Sequence, residues 1–72
     1  MEEKFTYSLI ENVDEDKLET YSAPGETWRH ILSSPYQVSS NGRIYDKYEK
    51  RIYMGITLEQ YFKVKHMEEM ND

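Results

Sequence analysis

Ser39-Ser40-Asn41-Gly42, set between Tyr36-Gln-Val38 and Arg43-Ile44-Tyr45, commits the chain to a reversal of direction at that point. Ser favours the first place of a type I turn, Asn the third, and Gly the fourth, where φ is positive. Two registers are open. A two-residue Asn41-Gly42 loop would set Ser39 against Ile44 and Val38 against Tyr45. A type I turn from Ser39 to Gly42 with a glycine bulge would set Ser39 against Arg43 and Val38 against Ile44. The bulged register is preferred, because it pairs two β-branched residues on one buried face. Arg43 then lies on the other face, available to a partner.

The 72 residues make one domain of small core, since a chain of this size buries only about 60% of its unfolded surface. There is no Cys to staple it, and with two His a zinc site would have to rest on carboxylates, so neither metal nor cofactor is expected. A partner, or a homodimer, is one source of extra burial. No apolar run approaches the roughly 20 residues needed to span a bilayer. Met1-Glu-Glu-Lys lacks the basic start and apolar centre of a signal peptide, so the expected compartment is the cytoplasm.

Charge is segregated along the chain. Residues 1–27 carry eight acids and two bases, residues 28–66 seven bases and three acids, and the last six residues three acids. The net charge of -5 therefore hides a basic centre between acidic flanks. The expected organisation is an acidic strand and loop over 1–24, a basic β unit over 26–66 and an acidic tail over 67–72.

Alternation in Phe5-Thr-Tyr-Ser-Leu9 predicts a strand over 4–10. Asn12 to Thr20 reads either as a short helical turn capped by Asn12 or as an irregular loop. Ala23-Pro-Gly25 interrupts the chain, and a short strand is expected from Thr27 to Leu32. The hairpin spans 36–48, and Ile52-Tyr-Met54 forms the next strand, ended by Gly55. The last element carries two conflicting signals. Thr57-Leu-Glu-Gln60 matches a helix capping box, whereas Phe62-Lys-Val-Lys-His66 alternates as a strand does. The predicted class is mainly β or α+β: a small twisted antiparallel sheet of three to five strands with a short helical turn or tail.

No set of residues suggests catalysis, which needs a nucleophile with its base, a metal, or a matched acid pair. His30 and His66 have no metal-ligand spacing, and Asp14-Glu-Asp16 lacks the Gly and terminal Glu of a calcium loop. Aromatics make up 14% of the chain, more than so small a core requires, which leaves some for binding. Trp28 is assigned to the core. In the bulged register Arg43, Tyr45 and Lys47 share the hairpin face opposite Val38 and Ile44. Lys50 and Arg51 sit at the next turn, and Lys63 and Lys65 share one face of a final strand. These seven residues form a candidate basic face for nucleic acid or another partner. A solvated sheet face protected by charge would show the same pattern.

Glu26-x-Trp28, Tyr36-x-Val38-Ser39-x-x-Gly42-Arg43-Ile44 and Tyr61-Phe-Lys-Val64 together resemble the nuclease-associated modular domain (NUMOD) that accompanies HNH homing endonucleases. The likeness covers about half of the chain. It implies a DNA-associated accessory unit detached from its nuclease, and a strand from Tyr61 to His66. The expected function is a non-catalytic binding module acting on nucleic acid or, preferably, on a nucleic-acid-processing protein. An alternative is a phage- or mobile-element-encoded inhibitor of a defence nuclease, of anti-CRISPR or anti-restriction type. It would present Glu11, Asp14, Glu15, Asp16 and Glu19 where phosphates would lie. A third reading is a regulatory protein-interaction domain unrelated to nucleic acid.

Overall fold

The turn at Ser39 to Gly42 takes the bulged register. Val38 stands opposite Ile44, the Gly42 N–H donates to the Ser39 carbonyl at 3.0 Å, and the Ser39 N–H donates to that of Arg43 at 2.8 Å. The Ser39 hydroxyl accepts from the N–H groups of Asn41 and Arg43, and Gly42 sits at φ 79°. Asp46 organises the following turn in the same manner, its Oδ1 accepting from the N–H groups of Tyr48 at 2.9 Å and Glu49 at 3.2 Å.

The computed structural model describes residues 6–70, with side chains through Met67. One antiparallel sheet contains β1 (Ser8–Ile10), β2 (Trp28–His30), β3 (Tyr36–Ser39), β4 (Ile44–Asp46) and β5 (Arg51–Met54), in the order β1-β5-β4-β3-β2. The first two residues of the predicted first strand, and the last two of the predicted tail, lie outside the described residues. Strands β2 to β5 form a meander, and β1 pairs with β5 at one edge.

Because β1 and β2 occupy opposite edges, the chain between them must cross a face of the sheet. It does so as a 3-10 helix, Glu15–Tyr21, whose buried Leu18 joins Val13 against Tyr45 and Ile52. The helical-turn reading of this stretch is right, but its cap is misplaced: Asn12 has φ 61°, and Asp14 is the residue at the helix start.

The last element corrects the strand expected from Tyr61 to His66. It is a helix, α1 (Leu58–Met70), and the capping box forms in full. The Gln60 N–H donates to Thr57 Oγ1 and the Thr57 N–H donates to Gln60 Oε1, each at 3.1 Å. The apolar alternation at Phe62 and Val64 yields to helical spacing, which directs Tyr61 and, partly, Leu58 and Val64 onto Ile44, Tyr53 and Ile56. Lys63 and Lys65, expected on one strand face, are consequently separated. The sheet thus lies between a 3-10 layer and an α-helical layer. Both sides of β4 are covered, leaving Ile44, Tyr45 and Asp46 no more than 3% exposed.

Candidate functional site

Arg43 projects from the start of β4 toward the exit of the 3-10 helix, and there it meets Glu26. Its Nε donates to Glu26 Oε2 at 2.9 Å while its second terminal nitrogen pairs with Oε1, a two-point fork. The same nitrogen donates to the Tyr21 carbonyl at 2.8 Å, and the guanidinium lies 5.6 Å from the centre of the Trp28 ring. Trp28 Nε1 in turn donates to Ser22 Oγ at 2.8 Å, which donates to the Leu18 carbonyl. The Arg43 hydrogen bonds hold the Glu26 carboxyl down at about 2, against a smaller opposing effect of burial. Glu26 likewise raises Arg43. Glu26, Trp28 and Arg43 thus fasten the 3-10 layer to the sheet.

This corrects the expectation that Arg43 is available to a partner. Tyr45 is corrected as well. It shares the face of Arg43 but is fully buried, with its hydroxyl donating to the Val13 carbonyl at 2.7 Å. Burial first, and neighbouring acids second, raise its phenol. Of the other predicted basic residues, Lys50 pairs with Asp14 at 3.0 Å and Arg51 with Glu11 at 3.4 Å. Lys65 pairs with Glu49 at 2.6 Å. Burial works against ionisation of Glu49, but Lys65 and the Tyr53 hydroxyl outweigh it and lower the carboxyl. Lys47 lies over the Tyr48 ring at 5.9 Å, and Lys63 faces outward from α1. The seven residues do not form one open basic face.

The acidic candidates are divided too. Glu11 and Asp14 are occupied by Arg51 and Lys50, and Glu15 accepts from Gln37 Nε2 at 3.0 Å. Asp16 and Glu19 stand exposed on the 3-10 helix, which Val13 and Leu18 anchor from beneath. His30 places Nε2 2.7 Å from the Ser34 carbonyl and belongs to the turn after β2.

Sequence reasoning missed the outer face of α1, where Glu59, Phe62, Lys63, His66 and Met67 line a shallow apolar groove. Phe62 is 44% and Met67 39% exposed. The signal was present in the capping box, which, once accepted, turns these residues outward together. Comparison with family models, with curated proteins and with solved structures gives no match.

Proposed function

We propose that this chain is a non-catalytic binding module whose direct ligand is a nucleic-acid-processing protein and not nucleic acid itself. The observation that carries this reading is the internal pairing of four of the cations a polyanion would need: Arg43, Lys50, Arg51 and Lys65 each already face a carboxylate. Binding phosphate there would require breaking those pairs, and the chain as a whole carries a charge of -5. The link to nucleic-acid processing rests on the resemblance of Glu26-x-Trp28 and the Tyr36–Ile44 hairpin to the nuclease-associated module. A second reading, inhibition of a defence nuclease, draws support from one feature. Asp16 and Glu19 ride on a segment anchored by buried side chains, which suits acids meant to face a basic groove.

Fluorescence anisotropy with labelled duplex and single-stranded DNA tests the main reading. No saturable binding is expected at low salt. Binding that weakens steeply with salt, and is lost with Arg29→Ala, Lys47→Ala and Lys63→Ala combined, would overturn it. For the second reading, Asp16→Lys with Glu19→Lys should abolish inhibition of a susceptible nuclease while leaving the circular dichroism spectrum unchanged.

A further inference from the structure

We propose that the outer face of α1 is a contact between two copies of this chain, packed antiparallel across a two-fold axis close to Phe62. Its apolar anchor is held in position. The Phe62 ring lies 5.4 Å from Tyr36 and 5.9 Å from Tyr61, yet 44% of the residue faces solvent. An exposed aromatic fixed by aromatic neighbours loses little side-chain freedom on association. Beside it stand Glu59 and Lys63, one helical turn apart. Among the described residues neither forms an ion pair, although this order along a helix favours one.

The charges identify the occupant. A partner surface of one sign would satisfy Glu59 or Lys63 and repel the other. The same face turned over by a two-fold axis offers Lys63 to Glu59 and Glu59 to Lys63 at once, with Phe62 meeting its own copy between them. Two helical turns on each side bury less than about 1,000 Å², so the pair is weak and dissociates in dilute solution. The additional burial suits a chain whose own core is small.

Sedimentation equilibrium on the full chain, from micromolar to millimolar concentration, tests the pairing. The wild-type chain should dimerise, and Glu59→Lys, Lys63→Glu and Phe62→Asp should each remain monomeric with unchanged circular dichroism. An equimolar mixture of the Glu59→Lys and Lys63→Glu chains should associate at least as tightly as wild type, since each then presents a single sign to the other. The double variant should dimerise with itself. A wild-type chain that stays monomeric at millimolar concentration overturns the proposal, as does a dimer indifferent to both reversals or a mixture that fails to associate. If the wild-type chain is monomeric and Phe62→Asp costs it a different protein partner, the face belongs to that partner and the two-fold pairing is refuted.

Discussion

Tyr45, on β4, and Tyr61, on α1, are the fully buried tyrosines, on opposite faces of the sheet, and the layers that cover those faces are held in different ways. Over Tyr45 lies the 3-10 segment, seven residues long with Leu18 as its buried side chain. Helices of that kind have poor hydrogen-bond geometry and seldom persist alone. Beyond the burial of Val13 and Leu18, its attachment comes from polar contacts distant in sequence: Tyr45 to the Val13 carbonyl, and Arg43 to Glu26 and Tyr21. Over the opposite face lies α1, which carries its own backbone ladder and cap and packs by contact between rings. Tyr61 meets Tyr53 at 4.7 Å and Tyr36 at 5.4 Å between centroids, and its hydroxyl donates to Asp46 Oδ2 at 2.8 Å. An irregular cover depends on fastening from outside itself. A regular one brings most of what it needs.

The sharpest way to break this contrast is Arg43→Ala. The Glu26 side chain is closed off from solvent, and losing Arg43 removes its counter-ion and leaves the Ala23 N–H at 2.9 Å as a remaining donor, so a destabilisation of about 3 kcal/mol is expected in chemical denaturation. Loss of less than about 1 kcal/mol would mean that the fork is not what holds the 3-10 layer.

Acid should act on the same fork. The Glu26 carboxyl lies at about 2 in the folded chain against an ordinary 4.5, so its contribution is complete above the higher value and is lost as pH falls toward the lower. The loss amounts to about 3 kcal/mol at most. Denaturation midpoints between about pH 5 and pH 2 should fall less steeply in Glu26→Gln than in wild type. Parallel slopes would exclude Glu26 as the responsible group.

The two phenols allow a finer comparison. Tyr61→Phe removes a hydrogen bond to a buried carboxylate and should cost about 1.5 to 3 kcal/mol, whereas Tyr45→Phe removes one to a neutral carbonyl and should cost about 1 kcal/mol. Burial first, and Asp46 second, push the Tyr61 phenol up, so it stays protonated as a donor at ordinary pH. The opposite ranking would show that the 3-10 face depends on its phenol more than the helical face depends on its own. The smallest effect is expected from Lys65→Ala. That pair with Glu49 is partly exposed, and its removal should cost no more than about 1 kcal/mol.

Several features were legible because they are decided within a few residues. Ser39, Asn41 and Gly42 specify turn and register together, and Thr57 with Gln60 announces a helix start. The latter signal was outweighed by the alternation at Phe62 and Val64 and by the likeness of Tyr61-Phe-Lys-Val64 to a strand. Reciprocal capping and burial of Tyr61 favour the helix. The candidate site was much less legible. Arg43 reads as an exposed cation until Glu26, 17 residues earlier, is known to lie beside it.

By itself the sequence determined the hairpin and the division of charge along the chain, and it favoured the bulged register; it also carried the capping-box signal at Thr57 and Gln60, though against a competing strand pattern. Each follows from backbone chemistry confined to one turn, or from simple counting. Only the tertiary structure decided where those charges meet. Pairing β1 with β5 sets Glu11 against Arg51 and Asp14 beside Lys50, while placing β1 and β2 at opposite edges forces the chain across the sheet and brings Glu26 to Arg43. Such pairings depend on strand order, a property of the whole chain, and no local pattern encodes them. The same long-range packing selected which aromatics close the core and left Phe62 at the surface.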